Sequence, residues 1–368
     1  MSKPIAIILT TEFGHWSLTL AMKEILEKEG FSTSQIKKEG VINELYKIIY
    51  RSAPKQNEHV YQLVAKNKTI RSWILEGLAI KNKNLVSQLK KMSPQVVISN
   101  YYEYVPILKE IKEKCNCPVF NFMANPTTQV EEMELSPHAQ NIVFDKESVK
   151  PNTLTQDNYK IFPLGWIVQD KFEAEYDQNE IRKKLSLNNM ITLLFVSGSL
   201  GSPADLNIFK SLLQLDLPIQ ILYACGNNKL LINKLERVVK NKKLKKSIVK
   251  LFGFTENIHL YLQASDLVIG KAGPNTLFET VATKTPFFAS HHLPGQEDGN
   301  LELIQKYQLG WVEEEDNKAT NKILHLVNNP EKINMFNSSL ARMASHNKIA
   351  KEKFGELVKA AVKNNQKI

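Results

Sequence analysis

Cysteine is scarce in this chain: three residues in 368, Cys115, Cys117 and Cys225. They form no Cys-x-x-Cys pair and no even set. This excludes a disulfide-stapled secreted module and predicts reduced thiols, packed as small hydrophobes in a cytoplasmic protein. Long apolar runs are also missing. The opening "MSKPIAIILTTEFGH" contains only "IAIILT", too short for a signal-peptide core or a membrane span, so any membrane contact is expected to be peripheral. Internal repeats and strongly low-complexity tracts are absent. Nowhere do aromatic and basic residues alternate as they do in single-strand binders, and nucleic acid is not an expected partner.

What is present is the composition of a globular protein, with 43% hydrophobic and 23% charged residues. At 368 residues the chain suits two domains. A formal net charge of +10 and a pI near 9.2 point to an acidic partner: nucleic acid, an anionic membrane surface or a phosphorylated small molecule. Charge alone does not choose among them. The densest basic cluster, "VVKNKKLKKSIVK" at 238–250, reads as a solvated helix end and turn.

Short β-branched runs alternate with helix-like segments. "PIAIILT", "QVVISN", "PVFNFM" and "NIVFD" lie in the first half, and "ITLLFVSG", "IQILYACG", "SIVKLFG", "DLVIG" and "TPFFAS" in the second. Continuous apolar strands between amphipathic helices predict parallel sheets covered on both faces, hence two doubly wound α/β domains. "KIFPLGWIVQDKF", residues 160–172, reads as a linker, because Pro163 and Gly165 interrupt the pattern. The expected division is 1–165, 166–340 and a terminal helix, 341–368, returning to brace the first domain. Residues 38–91 break the alternation with Tyr, Trp and Leu scattered among bases, either ordinary packed helices or a basic amphipathic surface for an anionic membrane.

Chemistry concentrates in "GKAGPNTLFETVATKTPFFASHHLPGQEDGN", residues 270–300. A strand ends at Gly270, Gly273 allows a tight turn, and Pro274 with Asn275 opens a helix whose first N–H groups suit an anion such as a diphosphate. Glu279, about one turn in, would repel phosphate but suits the paired hydroxyls of a ribose. Alternatively it is an acid near a helix start that complements the dipole. One strand later, Gln296, Glu297, Asp298 and Asn300 offer short polar groups to sugar hydroxyls, with His291 and His292 beside them. The same loop read alone is an ordinary polar surface loop.

The residues Gly270, Lys271, Gly273, Pro274, Glu279, Pro286, Pro294, Gly295, Gln296, Glu297 and Asn300 together resemble the donor-site signature of the monogalactosyldiacylglycerol synthase and processive diacylglycerol glucosyltransferase group, relatives of MurG-type transferases. Ala272 fills the variable position of Gly-Lys-x-Gly-Pro. "FVSGSLGS", with Gly198, Ser199 and Gly201, is similar to the family's glycine-rich loop. "LFGFTENIHLYLQASD" resembles the segment whose Gly253 and Phe254 meet the uracil. The resemblance implies a GT-B fold, two Rossmann-like domains facing a cleft, and inverting transfer from a UDP-sugar with neither metal nor cofactor. Helix amides and Lys271 would then stabilise departing UDP. Consistent with that, the sequence contains no Asp-x-Asp pair.

The acceptor half matches less. "LTTEFGHWSLTLAMKEILEKEG" predicts a strand, a turn at Gly14 and His15, and a helix ended by Gly30. Where the family has Gly-Gly-Gly-His, only Gly14 and His15 remain. His15 is the candidate general base; its plain reading is a cap of the first helix. The family's Thr-Asp pair is missing from "NFMANPTTQVEEMELSPHAQN", which leaves Glu131 or Glu132 as substitutes. The expected function is hexose transfer from a UDP-sugar to a diacylglycerol-like lipid hydroxyl by a protein peripherally bound at the cytoplasmic face of an anionic membrane. Transfer of N-acetylglucosamine to a polyprenyl-linked or soluble acceptor is the alternative, as is a sugar-nucleotide binder that has lost its chemistry.

Overall fold

The computed structural model describes residues 3–11, 14–37, 63–127, 130–154, 158–198 and 201–366. It divides into two compact units. The first ends at Asp170 and resumes at His346, and the second runs Lys171–Ser345.

The first unit holds a six-stranded parallel sheet in the order β2-β1-β3-β4-β5-β6, with β1 Ile5–Thr10, β2 Ser32–Lys37, β3 Val96–Ser99, β4 Val119–Phe122, β5 Gln140–Val143 and β6 Lys160–Pro163. The central strands are buried along their length, as parallel strands covered on both faces must be. Helix α1, Gly14–Lys28, returns from β1 and buries Leu18, Ala21, Met22, Ile25 and Leu26. Helix α2, Lys68–Met92, is capped by Asn67, whose side chain accepts the Ile70 N–H, and packs Val86 and Leu89 into the core around Val97 and Ile111.

The division falls within the stretch expected as a linker, after Asp170, and its residues 160–170 are part of this unit. β6 pairs with β5, and Trp166, Ile167 and Val168 are buried. Residues of the terminal helix from His346 onward group with the first unit: Asn347 Oδ1 accepts the Trp166 N–H at 3.0 Å, and Phe354 meets Phe122 edge-on at 5.8 Å.

The second unit has its own six-stranded parallel sheet, ordered β12-β11-β10-β7-β8-β9. Its strands are β7 Thr192–Val196, β8 Gln220–Ala224, β9 Ile248–Phe252, β10 Leu267–Lys271, β11 Phe287–His291 and β12 Gly310–Val312. Helices α3 Leu206–Leu215, α4 Pro274–Ala282 and α5 Asp298–Lys306 follow β7, β10 and β11. One face of the sheet packs Phe195, Phe209, Leu212, Tyr223, Phe288 and Ile323 into a continuous core. In each sheet the strand order reverses once, between β1 and β3 and between β10 and β7. Open α/β sheets bind ligands outside the carboxyl ends of strands at such points.

Candidate functional site

In the second unit the reversal brings the loops after β7 and β10 side by side. The strands approach so closely here that a Cβ on Gly270 would lie 2.6 Å from the Val196 carbonyl oxygen. Gly201 is equally constrained: its φ is +71° and a Cβ would lie 2.3 Å from the Cys225 carbonyl oxygen. Ser199, expected in this loop, lies outside the described residues, whereas Gly198 is described and accepts the Gly201 N–H.

Gly273 differs from the expectation. It is extended, at φ −78° and ψ 139°, as the cap of α4, so the turn does not require glycine. What it supplies is room, since a Cβ would stand 3.3 Å from the Lys271 amine. Pro274 occupies the first helical turn, where its missing N–H does no harm, and the positive end of the helix dipole faces this sheet edge. Glu279 is 9% exposed on α4.

The register between β10 and β11 slips at Gly270 and Lys271, and the Lys271 amine ion-pairs with Glu297. The other Glu297 oxygen accepts the Leu293 N–H at 2.8 Å, and the residue is 3% exposed. The sequence reading assigned Lys271 to diphosphate and Glu297 to hexose hydroxyls. The structure joins them to each other and stitches the loop after β11 to the turn after β10. Asn300, fully buried, adds a second stitch by donating to the Ala272 carbonyl at 2.8 Å. The Gly295 N–H donates to Asp298 at 2.8 Å, and the Gln296 side chain is half-buried. Gly253 and Phe254 stand apart after the edge strand β9, with Phe254 61% exposed.

His292 is held at both nitrogens, by Glu314 at 2.6 Å and Asp298 at 2.9 Å. The hydrogen bond to Glu314 is the main cause raising its pKa. His291 lies 3.3 Å from Asp205, which also accepts from Ser290 at 2.5 Å. Sequence reasoning missed Asp205 and Ser290. The signals were an acid one residue before a helix, in "GSPADL", and a hydroxyl at a strand end.

In the first unit the corresponding point joins the loops after β1 and β3. Gly14 opens α1 and His15 follows. The His15 Nδ1 lies 2.7 Å from the Asn100 carbonyl oxygen, which can only accept, so Nδ1 carries the hydrogen and Nε2 the lone pair. Burial lowers the His15 pKa to about 4, against a smaller upward effect of the Asn100 bond. The Tyr101 ring packs edge-on at 5.0 Å, and its hydroxyl donates to Glu103, which pairs with Lys81. "NYYEY", residues 100–104, directly after an apolar strand, was the overlooked signal. Of the proposed substitutes, Glu132 pairs with Arg71 at 2.8 Å, and the Glu131 side chain lies outside the described residues. Among the described residues no group of three or more His, Cys, Asp or Glu is placed to hold a metal.

Two six-stranded parallel sheets that each reverse once share the GT-B fold of the solved structures below, and residues 192–360 match the Glycosyltransferase family 28 C-terminal domain. The chain is similar to the processive diacylglycerol β-glucosyltransferases of Staphylococcus epidermidis, 23% identical over 70% of this chain and 65% of that protein, and of Bacillus pumilus, 23% identical over 89% and 88%. The match thus spans slightly under two thirds of the Staphylococcus protein. Among solved structures, Acinetobacter baumannii MurG superposes with a TM-score of 0.61 at 15% identity over the whole of both chains. Anabaena Alr3699/HepE in complex with UDP-glucose gives 0.52 at 13% over 99% of each.

Proposed function

We propose that the protein is an inverting glycosyltransferase that moves a hexose from a UDP-sugar to a lipid hydroxyl at an anionic membrane surface. The observation that carries this reading is the strand, turn and helix of 267–282, inside a family 28 C-terminal domain and stitched to the Pro-Gly-Gln-Glu loop by Lys271–Glu297 and Asn300–Ala272. In this reading the donor belongs to the second unit. The dipole end of α4 takes the diphosphate, Glu279 takes the ribose hydroxyls, and Gln296 faces the hexose. The relatives' names supply the lipid, and the structure with UDP-glucose supports the nucleotide sugar.

The acceptor hydroxyl loses its proton to His15 Nε2 as its oxygen bonds to the anomeric carbon. The bond from that carbon to the diphosphate oxygen breaks with inversion, and UDP leaves. A pKa of about 4 keeps His15 neutral, hence able to accept, throughout the neutral range. Surface chemistry supports a membrane. Trp73 and Ile80, one face of α2, are 69% and 76% exposed, with exposed Lys66, Lys68 and Lys83 near them. An exposed tryptophan among bases suits the anionic interface.

Transfer of N-acetylglucosamine is the second reading, favoured by the MurG likeness. A UDP-release screen of UDP-glucose, UDP-galactose and UDP-N-acetylglucosamine against extracted lipids and soluble acceptors separates the two. Lipid-dependent release from a UDP-hexose supports the first reading, release from UDP-N-acetylglucosamine supports the second, and UDP binding without release from any pair supports a non-catalytic binder.

A further inference from the structure

We infer that Asn100 is the positioning residue of His15, and that a buried chain from Asn100 through Thr19 to Thr10 sets which imidazole nitrogen holds the lone pair. The inference rests on the proposed role of His15 as base. Asn100 follows β3 and meets His15 in two ways. Its carbonyl oxygen takes the Nδ1 hydrogen at 2.7 Å, while its side-chain amide donates one hydrogen to the His15 carbonyl at 3.2 Å and the other to Thr19 Oγ1 at 2.9 Å.

The amide orientation is fixed by its partners, because the His15 carbonyl can only accept. With Thr19 Oγ1 accepting, its single hydrogen has two acceptors in reach, Thr10 Oγ1 at 2.7 Å and the His15 carbonyl at 2.9 Å, and Thr10 in turn donates to the Thr11 carbonyl at 3.2 Å. Donation to the nearer Thr10 makes the chain run one way. Thr10, Thr11, Thr19 and Asn100 are all nearly or wholly buried. The chain therefore ties the end of β1, the first turn of α1 and the end of β3 into one unit around the ring.

A purely structural role would be the simpler account, since Thr19 could satisfy the His15 carbonyl by itself at 2.9 Å. One observation counts against it. Asn100 Oδ1 is buried and receives no hydrogen bond, a cost that an apolar residue here would avoid. The sequence keeps a side-chain amide that is only partly satisfied where it holds the His15 backbone, beside the Asn100 backbone carbonyl that takes the ring's Nδ1 hydrogen. Such local cost is expected where a site is organised for chemistry rather than for stability.

The test uses the full chain at neutral pH, with nitrogen-15 histidine spectra that distinguish Nδ1–H from Nε2–H. Wild type should show a single Nδ1–H tautomer at His15. Asn100→Ala and Thr19→Val should show mixed tautomers and lose about 10- to 100-fold in kcat, a part of what a general base contributes. KM and UDP affinity should change less than about twofold. Thr19→Ser keeps the hydroxyl and should restore both the tautomer and kcat, which separates positioning from loss of fold. If Asn100→Ala and Thr19→Val both keep the Nδ1–H tautomer and wild-type kcat, the inference is overturned. If His15→Ala turns over normally while Asn100→Ala still mixes the tautomers, the base role falls and the positioning of the ring stands.

Discussion

His291 and His292 are neighbours in sequence with different environments. His292 bridges Glu314 and Asp298, and His291 sits against Asp205. Nothing in "SHHLPG" separates them, because Glu314 is 22 residues away in sequence and Asp205 is 86. The titrations of His15 and His292 have opposite consequences. The His15 pKa is lowered from 6.5 to about 4 in the fold, so the unfolded chain binds the extra proton first; this stability is present above pH 6.5 and drains as pH falls toward 4. The His292 pKa is raised from 6.5, chiefly by Glu314; that stability is present below 6.5 and lost as pH rises through the folded value. Chemical denaturation across pH should therefore show His15→Gln flattening the acid side of the stability curve and His292→Gln the neutral-to-alkaline side. At the nucleotide, Glu279→Gln should weaken UDP by ~1.5 to 3 kcal/mol in calorimetry with an unchanged melting temperature. Unaltered affinity would remove the ribose assignment.

At the scale of elements, legibility followed burial. All eight interior strands of the described sheets, β1, β3, β4 and β5 in the first unit and β7, β8, β10 and β11 in the second, stand out as apolar runs, as does the edge strand β9. The strands that escaped notice, β2, β6 and β12, are all edges. "STSQIK" and "KIFP" are partly exposed, and "GWV" is only three residues long. An edge strand is covered less, so its pattern carries less hydrophobic signal. The glycine that ends β10 has a packing reason, since Gly270 lets two backbones touch. The pairing of Lys271 with Glu297 was not legible, because both residue types also suit a ligand. A double-mutant cycle tests that pairing. Lys271→Met and Glu297→Gln should each destabilise by about 1 to 3 kcal/mol, and the double variant by clearly less than their sum. Strict additivity would show that the stitch is not coupled.

For the whole molecule, the net charge of +10 and the exposed Trp73 and Ile80 set the expected environment. No described helix is long and apolar enough to cross a membrane. Binding to vesicles should need anionic lipid, weaken with salt as the surface potential is screened, and weaken further in Trp73→Ser/Ile80→Ser. Salt-insensitive binding to neutral vesicles would reassign the contact to apolar insertion alone. Transfer of a hexose to a lipid hydroxyl is read most directly by mass spectrometry of the lipid fraction after incubation with UDP-glucose and anionic vesicles containing diacylglycerol. The expected product is a lipid heavier by one hexose, formed one for one with released UDP and greatly reduced in His15→Ala. UDP release with an unmodified lipid fraction, or a glycolipid yield unaffected by both His15→Ala and Glu279→Gln, would contradict the proposed transfer.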